Sequence, residues 1–378
     1  SGPPGTFPGI GVREIVRLIF VSWSTIGGSG ISQRQLAKQL VAKGHQVRFV
    51  VFDRASSSGK TSLYAKLSDL SVRTSATPFR SAVDLTRDLV GRRGKREDLD
   101  GLWHEHSVVP QNTLIRVIDD FEPHVVVVSS VDRWAWRRIH DRCSIRGIPT
   151  VLYVREEASL EHLEKGAHPS LLVANTPALA ENLRERGFDC AFVPSVTDVS
   201  STQAESSRRA VLAINPIPIK GSDLIWELAS KSPRLPFVAQ EAWTLRGSDL
   251  EAVRKNLDAL PNLEFRPMTP PGPHLYADAR VLLTPYHVNS RPRVILEAQA
   301  NGIPVLASDL PALVEAVGPG GVTLPLDDPD AWVTELNRLW DDQEHYAELS
   351  EAARGHAARA EVRPDLITAR FESLLSEL

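Results

Sequence analysis

Short apolar runs that leave no polar face, each followed by a helical pattern, recur along the chain and restrict its fold severely. Val125-Val126-Val127-Val128 is the plainest case, inside an unbroken apolar strand over His124 to Val128. A strand with no polar alternation has to be covered on both faces, and such strands build parallel sheets with a helix between neighbours. The chain opens on the same rhythm. Ile15 to Trp23 reads as a strand, Ser24 to Gly30 as a glycine-bearing loop and Ser32 to Ala42 as an amphipathic helix closed by Lys43-Gly44-His45. Gln46 to Phe52 follows as a second buried strand. Further strands are expected over Pro149–Val154, Leu171–Ala174 and Ala191–Val193, and helices over Gln111–Phe121 and Trp134–Ile145. The segment between Arg54 and Leu102 is polar and less regular.

A second α/β series starts after the polar stretch Ser195 to Arg209, which has no apolar period and reads as a boundary. Strands are expected over Ala210–Ile214, Phe237–Gln240, near Phe265, and over Val281–Pro285, Val305–Ala307 and Gly321–Leu324. Helices over Asp223–Ala229, Asp249–Leu257, Val294–Ala300 and Ala312–Val317 alternate with them, and three helical stretches follow. With 378 residues the chain has room for two domains. The division expected is 1–195, a linker over 196–208, and 209–363, with the helix 364–378 crossing back to the first domain. Two Rossmann-like halves place ligands at the carboxyl ends of their strands, in a cleft between the halves.

Composition narrows the partners. A formal net charge of −4 offers no basic excess for nucleic acid. Two cysteines, Cys143 and Cys190, make neither a disulfide framework nor a metal-ligand spacing. No apolar run approaches the ~20 residues that span a bilayer, and the Gly- and Pro-rich first residues lack a secretory pattern, so a cytoplasmic location is expected.

Three segments carry candidate chemistry. Gly27-Gly28-Ser29-Gly30 lies between a strand and a helix, where glycines admit a ligand close to the backbone and the helix N-terminus favours an anion. The loop lacks the third glycine of the dinucleotide fingerprint, although Asp53 sits where a ribose-binding carboxylate belongs. Asn215-Pro216-Ile217-Pro218-Ile219-Lys220-Gly221 follows the first strand of the second half, and its lysine can neutralise a diphosphate as a point charge, with Ser222 or Asp223 capping the next helix. The third segment runs from Asn289-Ser290-Arg291-Pro292-Arg293 into a helix of small and apolar residues that carries Glu297. A carboxylate there needs a cation or a ligand, and a ribose diol suits it as well as a salt bridge does.

Val294-x-x-Glu297-Ala298-x-Ala300-x-Gly302-x-Pro304-Val305 resembles the donor-site signature of the large retaining family of GT-B glycosyltransferases, the group 1 (GT4-type) family. The resemblance is strong from Ala210 onward and weaker in the first half, where Gly27-Gly28 and Lys43-Gly44-His45 match the family's opening loop and turn. It implies a GT-B fold, two Rossmann-like domains facing across a cleft, and sugar transfer from a nucleoside diphosphate sugar to an acceptor hydroxyl. Retention of anomeric configuration and no metal or other cofactor are implied with it. Glu297 falls on the ribose-binding glutamate, Lys220 on the lysine of the diphosphate, and Met268 where backbone meets the base. Arg291, Pro292 and Arg293, after Ser290, fall on the loop whose amides touch sugar and phosphates.

Three departures accompany the match. The family's sugar-binding glutamate is Asn289 here, its phosphate-binding arginine is Asn215, and Arg155-Glu156-Glu157 stands in place of a histidine after an N-domain strand. A lost phosphate cation weakens charge stabilisation unless Arg155, Arg291 or Arg293 replaces it, and Arg155 is the preferred replacement. Its alternative is a salt bridge to Glu156, Glu157 or Glu161. The departures keep a non-catalytic GT-B protein in view, and Gly28, Gly30 and Asp53 keep an NAD-dependent oxidoreductase. Asp327-Asp328-Pro329-Asp330 reads as a helix cap rather than a metal cluster. His104 and His106 lack a third metal ligand. Arg92 to Arg96 fits a solvated loop, or a contact with an anionic acceptor or membrane surface. Trp134 and Trp136 fit core packing or sugar stacking. The donor's sugar and base and the acceptor stay open.

Overall fold

The structure, a computed structural model, describes residues 15–22, 25, 27–52, 95–107, 110–131, 133–155, 163, 167–243, 245 and 247–378. Residues up to 194 together with 367–378 form one unit, and residues 195–366 form the other. The first is built on β1 (Arg17–Ser22), β2 (Gln46–Phe52), β3 (Lys95–Leu99), β4 (Leu102–Ser107), β5 (Val125–Ser129), β6 (Thr150–Val154), β7 (Leu171–Ala174) and β8 (Ala191–Phe192). The strand order is β3-β4-β2-β1-β5-β6-β7-β8, parallel throughout except for β3 against β4. Helices α1 (Gly27–Ala42), α2 (Pro110–Phe121), α3 (Arg133–Ile145) and α4 (Pro177–Glu185) alternate with the strands. The valine run behaves as its composition demands: Val125 to Val128 are all fully buried. Each such side chain stabilises the fold by ~1.5–3 kcal/mol, an upper figure because unfolded chains are not fully extended.

The β3–β4 hairpin lies in the stretch read as irregular. Asp100 and Gly101 both take positive φ, 62° and 77°, and make the two-residue turn. His104 is therefore a buried strand residue stacked on Phe49 at 4.4 Å between ring centroids, and burial pulls its imidazole down to about 4. Arg96 pairs with buried Glu105 rather than lying in a solvated loop; residues 92–94 and Asp53 lie outside the described residues. Trp136 is also in the core, its Nε1 donating to Ala167 O at 3.1 Å, so it offers no sugar-stacking face. The side chain of Trp134 lies outside the described residues.

The second unit holds a wholly parallel sheet in the order β11-β10-β9-β12-β13-β14. Its strands are β9 (Ala210–Ile214), β10 (Phe237–Gln240), β11 (Leu263–Arg266), β12 (Ala279–Thr284), β13 (Val305–Ser308) and β14 (Gly321–Leu324). Around it lie α5 (Ser222–Lys231), α6 (Gly247–Ala259), α7 (Arg293–Ala300), α8 (Pro311–Val317), α9 (Pro329–Asp341) and α10 (Gln343–Ala357). Asp328 caps α9, accepting from Ala331 N at 3.1 Å with Pro329 at the first helical position, as the acidic cluster predicts. Gly221, not Ser222 or Asp223, is the N-cap of α5, and α6 starts at Gly247, two residues ahead of the expected Asp249.

Residues 196–208, read as a linker, are pinned to the second unit instead. Ser207 N donates to Ala277 O, Ala204 N to Asn301 Oδ1 and Ser206 Oγ to Ala279 O, each at 2.7–2.8 Å. A stretch without apolar periodicity is thus held by backbone and side-chain hydrogen bonds, which a hydropathy pattern does not register. The last helix, α11 (Pro364–Leu375), contributes residues from 367 onward to the first unit. There Phe371 is buried against Tyr153, and Glu372 pairs with Lys43 and with His45 Nε2, the latter at 2.8 Å.

Candidate functional site

In an open parallel sheet the ligand crevice lies where strand order reverses, beyond the strand carboxyl ends. In the second unit that point is between β9 and β12; Asn215 and Lys220 follow β9, residues 289–293 follow β12 and lead into the helix of Glu297, and Met268 follows β11. The loops after β9 and β12 are zipped together. His287 N donates to Ile219 O at 3.0 Å, and a Cβ on Gly221 would stand 2.0 Å from Pro285 O. Gly221 also takes φ +72°, so both the close approach and the backbone conformation call for glycine.

This packing sets Lys220. The residue closes a single 3-10 turn, Pro218–Lys220, and its Nζ lies 4.1 Å from the Trp243 ring centroid and 5.2 Å from that of Tyr286. No carboxylate among the described residues pairs with it. Burial pulls its ammonium down to about 7, far below the usual lysine range. A half-buried, uncompensated ammonium between two aromatic faces is a site prepared for an anion.

Glu297 lies one turn into α7 and is almost wholly buried. Its Oε2 accepts from Tyr276 Oη at 2.6 Å, and its Oε1 accepts from Arg293 Nε at 2.6 Å, with Arg293 Nη2 close by on the same oxygen. The carboxylate therefore has its cation, and Tyr276, buried beside that negative charge, is held well above the ordinary phenol range. Oε2 keeps a lone pair for a further donor, whereas both lone pairs of Oε1 are taken by the guanidinium. Arg293 has spent two of its nitrogens; Nη1 is buried and has no hydrogen-bond partner among the described residues.

Several of the other predicted residues have partners within the protein. Asn289 Oδ1 accepts from Ala312 N at 2.8 Å in the first turn of α8. Arg291 Nη1 pairs with Glu315 Oε1 at 3.1 Å. Ser290 is half-buried and Pro292 is the N-cap of α7. Asn215 is fully buried at φ 50°, and its Oδ1 accepts from Ala242 N at 2.6 Å and Trp243 N at 3.4 Å. A residue expected to face phosphate therefore ties the end of β9 to the loop carrying Trp243. Met268 is exposed, with its amide donating to Glu241 Oε2 at 2.9 Å. Gly302, the signature glycine, ends α7 at φ +62°, and a Cβ there would meet the Arg354 guanidinium at 2.6 Å. Its place in the motif is explained by helix termination and packing.

The first unit assembles a separate cluster at its own reversal point, between β1 and β5. Gly27 and Gly28 are the first turn of α1 rather than a loop before it, so the unpaired amides of a helix N-terminus stand there. Ser29 Oγ lies 2.9 Å from Ser130 Oγ, and Arg155 Nε donates to Ser129 Oγ at 3.1 Å while stacking 4.3 Å from the Tyr153 ring. Glu156, Glu157 and Glu161, the expected alternatives for Arg155, lie outside the described residues. Among the described residues no group of three His, Cys, Asp or Glu side chains could hold a metal. No helix there is long and apolar enough to cross a membrane.

Tyr276, Tyr286, Trp243, Ser129 and Ser130 escaped the sequence reading. Each acts through a tertiary contact to a residue on another element, so no local spacing marks it.

Comparison with known proteins bears on the second unit first. Residues 232–342 match the family model described as glycosyl transferases group 1. A D-inositol 3-phosphate glycosyltransferase of Salinispora arenicola is 31% identical over 230 residues, 50% of this chain and 51% of that protein. The corresponding protein of Thermobispora bispora is 38% identical over 99 residues, 24% of this chain and 23% of its own. The chain thus spans about half or less of the length of these curated relatives. Among solved structures, Anabaena Alr3699/HepE in complex with UDP-glucose superposes with a TM-score of 0.71 at 15% identity, covering 96% of this chain and all of that one. Sucrose-phosphate synthase from Thermosynechococcus elongatus superposes at 0.70 and 13% identity, covering 95% and 98%. At such identities the likeness establishes the fold, which is GT-B.

Proposed function

We propose that this chain, whose residues 232–342 match the group 1 glycosyltransferase model, is a member of that family and transfers a sugar from a nucleoside diphosphate sugar to an acceptor hydroxyl. The observation that carries the reading is Lys220: a half-buried ammonium with no carboxylate partner among the described residues, at the strand-order reversal of the second unit's sheet. The diphosphate supplies the missing counter-charge. Glu297 takes a ribose hydroxyl on the free lone pair of Oε2, the loop from Asn289 through Ser290, Arg291 and Pro292 lies along sugar and phosphates, and the backbone at Met268 meets the base.

The reaction we propose retains configuration and uses no metal. The acceptor oxygen bonds to the anomeric carbon from the face that the diphosphate leaves, the bond from that carbon to the diphosphate oxygen breaks, and the acceptor's proton passes to that leaving oxygen. Lys220 and the N-terminus of α7 offset the charge that grows on the diphosphate. In the first unit, Arg155 and the Gly27-Gly28 helix end make that unit's own anion-favouring cluster at its strand-order reversal. UDP-glucose, the ligand of the Anabaena neighbour, is the first donor to test, and an inositol phosphate, named in the relatives, the first acceptor.

A second reading, a GT-B protein that binds without turnover, draws on Asn215 and Asn289, whose side-chain oxygens are both taken by backbone amides. Thermal melts with UDP, GDP, ADP, TDP and NAD, on wild type and Glu297→Ala, decide the ligand class. A ligand at a hundred times its dissociation constant adds ~2.7 kcal/mol. One nucleoside diphosphate that stabilises wild type more than Glu297→Ala supports the donor site, and stabilisation by NAD alone defeats it. Slow release of free sugar and diphosphate from the nucleotide sugar without acceptor supports turnover; binding without release supports the second reading.

A further inference from the structure

A diphosphate usually needs more positive charge than one lysine gives. Asn215 is uncharged, and its carbonyl is committed to the amides of Ala242 and Trp243. Arg291 is committed to Glu315. Arg293 is different. It is the first residue of the eight-residue helix α7, at the strand-order reversal, and its side chain is only 9% exposed. Glu297 holds it by Nε and Nη2, which orients the guanidinium plane and leaves Nη1 as a buried donor with no partner among the described residues. A buried charged N–H without an acceptor is costly, and the cost is removed when an anionic oxygen fills the place.

We infer that Arg293 is the second cation of the diphosphate site, its Nη1 donating to a phosphate oxygen of the nucleotide in place of the charge that Asn215 does not carry. The inference rests on the donor-site reading above. Its consequence is that ribose and diphosphate recognition share one ion pair: the carboxylate that takes the ribose also aims the guanidinium that takes the phosphate. Tyr276, on the other carboxylate oxygen, steadies the same pair.

The test uses whichever of UDP, GDP, ADP and TDP binds the wild-type chain, together with the matching nucleoside. Dissociation constants for both are measured on wild type, Arg293→Met and Arg293→Lys, with folding checked by thermal melt. The readout is the ratio of diphosphate to nucleoside affinity, in which any shared loss through Glu297 and the ribose cancels. In Arg293→Met the ratio is expected to fall about tenfold or more. Arg293→Lys keeps a positive charge against Glu297, so it serves if the methionine variant does not fold; one ammonium cannot serve both partners as the fork does, and its ratio should fall about threefold or more. A ratio within twofold of wild type in the folded variants shows that Arg293 only holds Glu297, and overturns the inference while leaving the donor site standing. If none of the four diphosphates binds wild type, the donor-site reading fails and this inference fails with it.

Discussion

Binding a nucleotide sugar should draw a proton onto Lys220, and the pH dependence of binding should show it. In the free protein burial holds the ammonium at about 7. At pH 8 such a group is protonated in about a tenth of the molecules, so a ligand that requires the charged form takes up about 0.9 proton on binding. A diphosphate beside the amine favours the charged form and raises its pKa, which fixes the sign: affinity is greatest below pH 7 and weakens as pH rises through 7. Between pH 6 and pH 8 the loss is about tenfold, or ~1.4 kcal/mol. The ligand for this experiment is UDP-glucose, whose diester diphosphate does not itself titrate in that range. Calorimetry in two buffers of different ionisation enthalpy, phosphate and Tris, yields the proton count directly. Lys220→Arg, charged at every pH used, should bind with no proton uptake and no slope. Uptake below about 0.2 proton at pH 8, with affinity level from pH 6 to 8 in wild type, would refute the argument that Lys220 waits uncompensated for an anion.

Two further outcomes test the scaffold around it. Gly221→Ala sets a methyl group against Pro285 O at a positive φ, and should cost on the order of 2–4 kcal/mol of stability, read as a lowered melting temperature; an unchanged melt would mean that the two loops are not locked. Tyr276→Phe removes one hydrogen bond from buried Glu297 and should cost ~1–3 kcal/mol in stability or donor binding, with donor KM rising more than kcat falls. Unchanged stability and donor KM would detach Tyr276 from the site.

The fold was largely legible because its strands are buried on both faces. A run such as Ala210–Ile214 has one physical solution, and the structure has it with the same boundaries. The hairpin over 95–107 was missed because β3 is mostly charged, Lys95-Arg96-Glu97-Asp98-Leu99, and its one signal, Asp100-Gly101, lay in an otherwise polar stretch. At the site, the signature around Glu297 marked the right helix, but the spacing could not say that Arg293, four residues back, is its ion-pair partner rather than a loop cation. Asn215 misled for a related reason. A residue aligned with a phosphate ligand invites a ligand's role, whereas its positive φ and the two amides it accepts make it a backbone clamp, a property that exists only after β9 and β10 have paired.

The membership of residues 367–378 in the first unit has a consequence for how the chain is made. Lys43 meets Glu372 across 329 residues of sequence, so during synthesis the first unit emerges from the ribosome lacking the helix that covers Tyr153. The second unit, 195–366, has its whole segment translated before that helix appears. Of the two units, the one translated first is then the one completed last. For that interval the apolar surface awaiting Phe371 is open to chaperones and to aggregation, and a polypeptide halted before residue 367 stays in that state.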